Sequence, residues 1–201
     1  SRRTDIEGSK RYLPLGLLFS AITVGALYLS DSFTSLLSLF SLAGFAMGMY
    51  PSTLIAYVFG KRVRLGKFSS MGSLGAGLGL LAAGYIADQA PLPTVFLFGA
   101  FFFLGAFIIS TQLPSIPQVR HKVPLFPTQL LKQNASIFIP YLIRHLAANI
   151  VWIIYPLYLQ QLGLDFLSIS LLYMLNPFIQ FILMYTITDR VSWCTVSCRF
   201  S

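Results

Sequence analysis

Arg144 and His145 are the only Lys, Arg or His residues that fall inside a long apolar stretch of this chain. Ionisable groups among apolar neighbours are costly, so each is a functional candidate: a guanidinium pairs with an anion, and an imidazole passes a proton or a hydrogen bond. His145 and Asn149 stand four residues apart, Trp152 and Pro156 continue the same face, and Tyr141 lies one helical turn earlier. Residues at this spacing meet on a helix surface, giving an aromatic and polar stripe on an apolar helix. The stripe suits the wall of a solute cavity; hydrogen bonding between helices would use the same residue types. Asn176 and Gln180 bracket Pro177, whose missing N–H kinks a helix and frees a carbonyl. The candidate solute-facing set is Tyr141, Arg144, His145, Asn149, Trp152, Asn176 and Gln180.

Other chemistries find no residues to carry them. Asp31, Asp88 and Asp165 fall at predicted helix ends with no second histidine or cysteine nearby, so no catalytic triad or metal site forms, and each is expected to cap a helix or face water. The reading is not an enzyme, with no cofactor and no metal. Cys194 and Cys198 lie together near the end without a second Cys/His pair, and receive no role.

The elements that must position the stripe follow from composition. Of 201 residues, 56% are hydrophobic and 10% charged, against about 25% charged in an ordinary soluble domain. Six apolar stretches are expected at Tyr12–Ser30, Ser35–Phe59, Ser69–Asp88, Thr94–Leu113, Ser136–Leu162 and Phe166–Ile187. Each is long enough to cross a hydrocarbon core of about 30 Å as a helix, the first being the shortest. Barrel strands would alternate apolar and polar residues, whereas Phe96 to Leu104 is continuously apolar or small. The fold class is therefore all-α, a polytopic transmembrane helix bundle. Pro51, Pro140, Pro156 and Pro177 fall inside these spans, where their freed carbonyls must be satisfied by neighbours or water.

The net charge of +8 would suggest nucleic acid in a soluble protein. Here the basic residues cluster between apolar runs, so no nucleic-acid partner is expected; the partner is the lipid bilayer. Arg2, Arg3, Lys10 and Arg11, then Lys61, Arg62, Arg64 and Lys67, then Arg120, Lys122 and Lys132, and finally Arg190 and Arg199 all fall on one side, and the intervening turns hold none. The positive-inside rule then places both ends in the cytosol, in the cell membrane. Two placements of Arg144 remain: near the cytosolic phosphates if the core begins near Ile143, or about two turns deep, needing an anion, if it begins near Ser136.

Pro114, Pro117, Pro124 and Pro127 prevent a helix from persisting through 114–133. This segment reads as a cytosolic linker between four spans (1–113) and two (134–190), with an unassigned tail at 191–201. The chain begins with Ser1 on a charged stretch, so no signal peptide is legible and the chain is expected to be a piece of a longer protein. Gly75/Gly79, Gly79/Ala83 and Gly44/Gly48 are expected to let helices approach closely. That stripe serves either static packing or a smooth interface on which one helix slides.

At its basic ends the chain resembles the major facilitator superfamily of secondary transporters. That family's acidic-Arg-x-Gly-basic loop is matched by Asp5, Gly8, Lys10 and Arg11, with Ile6 at the usual Arg and Ser9 at a usual basic position. A second copy is matched by Asp189-Arg190-Val191, with Ser192 at the usual Gly. The resemblance implies helices three to eight of twelve, a cytosolic gate formed by Asp5, Gly8, Lys10, Arg11, Asp189 and Arg190, and transport of a small solute by alternating access, with or without a coupling ion. It does not extend to the family's helix-four Arg motif, since Phe40 and Ala43 precede Gly44, so it implies no drug–proton antiport. A non-transporting receptor, assembly subunit or inert fragment would need only the bundle.

Overall fold

The computed structural model describes residues 9–61, 63–114 and 132–188. Six helices account for nearly all of them: α1 Ser9–Leu27, α2 Phe33–Gly60, α3 Leu65–Gln89, α4 Thr94–Thr111, α5 Ala135–Gln161 and α6 Phe166–Leu183. The last continues as a π-helical turn at Met184–Thr188. Helices α2 to α6 are each long and apolar enough to cross a membrane, as expected when a chain must satisfy every backbone group internally in lipid.

Local sequence explains the ends. Ser32 caps α2, its hydroxyl accepting from Ser35 N at 3.2 Å. Helix α5 stops at Gly163, which takes φ +81°, a value that glycine adopts without a Cβ penalty. The Gly163 N–H then bonds Gln160 O at 3.0 Å and the Leu164 N–H bonds Leu159 O at 3.3 Å, the pairing of a Schellman stop. Helix α1 closes at Leu27 rather than the expected Ser30, because Tyr28, Leu29 and Ser30 wind on through tighter bonds to Gly25, Ala26 and Leu27 carbonyls. Helix α3 begins a turn earlier than expected, at Leu65, so Lys67 lies in its first turn rather than in a loop.

The helices pack in two groups. Helix α1 lies against α2 and α4, while α3 lies chiefly against α6, and α5 leans on α6. In the first group Leu13, Leu17, Ala21, Val24 and Leu27 of α1 are buried, facing Ala43 and Ala46 of α2 and Ala100 of α4. Small residues set the spacing: a Cβ on Gly16 would stand 3.3 Å from those of Met49 and Tyr50, and one on Gly25 would stand 3.3 Å from that of Ala100. The buried hydroxyls are answered within their own helices, Ser20 by Gly16 O at 2.9 Å and Thr23 by Phe19 O at 2.9 Å.

The expected glycine pairs are not where helices meet. Nothing lies within 4 Å of a Cβ built on Gly44, Gly48, Gly75 or Gly79. Helix α3 instead turns Gly66, Ser70, Gly77 and Gly84 inward. From Ser70 onward these recur every seven residues, two helical turns, which keeps one narrow seam facing a neighbour. Because Gly75 and Gly79 lie on another face of α3, they open onto a cleft.

Candidate functional site

Five of the expected solute-facing residues form two short intrahelical chains. On α5 the His145 ring stacks on Tyr141 with centroids 4.1 Å apart, its Nδ1 lies 3.0 Å from Tyr141 O, and Asn149 Nδ2 donates to His145 O at 2.9 Å. On α6 Gln180 Nε2 donates to Asn176 Oδ1 at 3.0 Å. All five residues use i, i+4 partners within their own helix. Arg144 is exposed on α5, and no hydrogen bond or ion pair reaches its guanidinium among the described residues.

The two helices are joined through a residue that sequence reasoning passed over. Tyr173 of α6 is buried, and its hydroxyl donates to Trp152 O at 2.9 Å. That carbonyl is the one Pro156 frees, four residues further on, because proline has no N–H to return to it. Trp152 packs edge-on against the Tyr173 ring at 4.9 Å, and Tyr155 lies 5.5 Å from it. The signal was available: a freed carbonyl in an apolar helix needs a donor, and tyrosine presents one at the end of an otherwise apolar body. Of the expected set, Trp152 alone is thus tied across helices.

A second feature runs the length of α3 and α6. At one end both Asp88 oxygens cross to α6, accepting from Phe166 N at 3.2 Å and Leu167 N at 3.1 Å. Next comes the tightest crossing: a Cβ on Gly84 would collide with the Ser170 side chain and stand 2.8 Å from Phe166 O. Further along, Gly77 meets Met174 and Pro177. Ser73 Oγ donates to Met184 Sδ at 3.7 Å, and Lys67 Nζ sits 5.5 Å from the centre of the Tyr185 ring, a cation–π contact. Asp165 stands at the Asp88 end, where the Ser168 hydroxyl beside it holds its carboxyl below the usual carboxylate range.

Between α3 and the first group lies a cleft of about 1120 Å³, lined almost wholly by apolar groups, with Gly72, Gly75 and Gly79 on one wall and Tyr50, Phe98 and Phe102 opposite. None of the expected solute-facing residues lines it. The expected gate lies largely outside the described residues: Asp5, Gly8, Asp189 and Arg190 do so entirely, and Lys10 and Arg11 are described only as backbone in the first turns of α1. The linker 115–131 and the tail 191–201 lie outside them too.

Comparison with curated proteins and with solved structures gives no match. The family model for the Major Facilitator Superfamily matches residues 1–198, nearly the whole chain. With six apolar helices and that match, this is a multi-pass membrane protein, and it belongs to the Major Facilitator Superfamily of membrane transporters.

Proposed function

We propose that the chain carries a small solute across the cell membrane by alternating access, residues 1–113 rocking against 134–190 about the linker 114–133, with both ends in the cytosol. The observation that carries this reading is the α3–α6 seam. It joins a helix before the linker to one after it, and along it Gly77 and Gly84 of α3 face Met174, Pro177 and Ser170 of α6. A contact in which one helix presents glycines, set between the helices before the linker and those after it, is what a rocking motion needs, since packed cores shift between discrete arrangements rather than deforming.

Within this reading Tyr141, His145, Asn149, Trp152, Asn176 and Gln180 face the solute. Arg144 binds its negative charge or, if shallow, anchors α5 to lipid phosphates. The charged ends, Asp5, Gly8, Lys10 and Arg11 with Asp189 and Arg190, act as a cytosolic gate: carboxylates beside basic groups and helix termini bias a two-state equilibrium by a few charge-assisted hydrogen bonds. A coupling ion accompanies the solute or is dispensable.

The test is flux of labelled small anions into vesicles holding the complete protein. Arg144→Ala should abolish uptake or efflux while leaving insertion intact. Normal flux through a correctly inserted Arg144→Ala protein removes the assigned role.

A further inference from the structure

The hydrogen bonds along α5 decide which of its polar atoms remain for a ligand. A backbone carbonyl only accepts, so the 3.0 Å contact between His145 Nδ1 and Tyr141 O fixes the proton of the neutral imidazole on Nδ1. The Tyr141 ring, centred 4.1 Å from the imidazole, packs against it in that orientation. Nε2 is left as an acceptor with no hydrogen-bond partner among the described residues. Asn149 is committed in the same way: Nδ2 donates to His145 O at 2.9 Å, which leaves Oδ1 as a second acceptor, beside one remaining N–H.

Arg144 supplies the complement. It is exposed on α5, and no hydrogen bond or ion pair reaches its guanidinium among the described residues. Asp88 and Asp165 meet at the far end of α5, about 25 Å of helix beyond Arg144, and Asp31 lies in the turn before α2. Arg144 and His145 are consecutive, and the long arm of an arginine lets its planar fork reach a molecule held at the next residue. In an apolar helix an unpaired guanidinium and an unpaired acceptor each cost free energy until something answers them. A plain anion answers only the first, and a plain alcohol only the second. One small molecule carrying both groups answers the two together.

We propose that the solute is a small carboxylate that also bears a hydroxyl or amino group. Arg144 takes the carboxylate through paired N–H···O bonds, and His145 Nε2 accepts from the O–H or N–H, with Asn149 Oδ1 accepting a further hydrogen where the solute has one. Tyr141 sets this specificity through its carbonyl, which keeps the imidazole in the form that presents an acceptor. The proposal rests on the reading of α5 as a solute-facing wall with Arg144 as anion partner.

The experiment measures equilibrium binding to the complete protein in lipid nanodiscs, with labelled lactate displaced by propionate, which lacks the hydroxyl, by lactamide, which lacks the charge, and by alanine. Lactate should bind roughly threefold to tenfold more tightly than propionate, the worth of one hydrogen bond, and lactamide should bind more weakly than either. His145→Phe, which keeps a ring and removes Nε2, should bring lactate down to the propionate level. His145→Gln, which returns an acceptor near the Nε2 position, should restore part of the preference. Arg144→Gln should weaken lactate and propionate by the same factor. Nitrogen-15 NMR of the imidazole reads the contact without any substitution, so it serves even where a variant fails to insert: the Nε2 resonance should move with lactate and stay with propionate. Equal affinities for lactate and propionate, an Nε2 resonance indifferent to both, or binding of neither lactate nor alanine would overturn the assigned class, and flux of some other solute would then leave transport standing. Selective lactate or alanine binding without flux of either would uphold the site and remove the alternating-access reading instead.

Discussion

The α1–α2–α4 group and the α3–α6 seam are both spaced by small residues, but they are held differently. In the first, Gly16, Gly25, Ala43 and Ala46 bring the helices together, and the buried Ser20, Thr23 and Thr53 hydroxyls bond back to their own helices. In the second, Ser70 also bonds back to its own helix, but other polar groups reach across: Asp88 to α6, Ser73 to Met184 and Lys67 to Tyr185. Dispersion contacts forfeit a quarter to a half of their attraction over a gap of about 0.5–1 Å, so a group held by them stays together or parts as a whole. Ties concentrated at the two ends of a smooth seam can be released one end at a time. The first arrangement suits a rigid body, and the second suits the boundary between two bodies.

The comparison breaks most visibly at Gly84. Gly84→Val places atoms where the Ser170 side chain and Phe166 O already stand, and a backbone oxygen cannot step aside. We expect a loss of about 3 kcal/mol, read by thermal unfolding in detergent, together with a redistribution of the two seam arrangements. Gly16→Val, whose neighbours are the Met49 and Tyr50 side chains at 3.3 Å, should cost less, about 1–2 kcal/mol, and leave that distribution unchanged. If both substitutions moved it equally, the distinction between body and boundary would not hold.

Tyr173→Phe sharpens the account on the α5 side. It strands the Trp152 carbonyl that Pro156 already deprives of a donor, and should cost about 0.5–1.5 kcal/mol. Restoring an N–H by Pro156→Ala should erase much of that cost, so a double-mutant cycle should return a coupling energy of similar size. Independent, additive effects would mean that the hydroxyl is not the carbonyl's partner.

Smaller effects are expected where the helices stand apart. Gly75→Ala meets open space and should change stability by no more than about 0.5 kcal/mol, toward greater stability through helix propensity. At the seam end, Asp165 titrates below the usual carboxylate range because the Ser168 hydroxyl stabilises its ionised form. A lowered folded value means that this contribution is present above the ordinary carboxylate pKa and is lost as pH falls through the folded one. Ser168→Ala should move the Asp165 titration up toward the ordinary range, observed by carboxyl-carbon NMR; an unmoved titration would assign the shift elsewhere.

The architecture was legible because lipid leaves few choices. Apolar runs bounded by Ser30–Thr34, Gln89–Pro93 and Gln160–Asp165 had to be helices, and they fold within a few residues of the expected bounds. The capping expected of Asp88 was also legible as chemistry, though not the helix it caps, since nothing local indicates a partner 78 residues away. The face of α3 was not legible. Gly72, Gly75, Gly77, Gly79 and Gly84 leave small residues on several faces at once, so periodicity cannot say which one meets a neighbour. Spacing found the His145/Asn149 pair and placed Tyr141 one turn before it, because those relations depend on one helix alone. Tyr173 was missed because it scores as apolar until the carbonyl opposite is known.

The central claim is that α3 and α6 part at each end in turn during a transport cycle. Ser73→Cys and Met184→Cys, replacing groups 3.7 Å apart, can be joined by a short, cleavable bifunctional thiol reagent in the complete protein. The account predicts that quantitative cross-linking stops solute flux and that cleaving the reagent restores it. Undiminished flux through the cross-linked protein would contradict it.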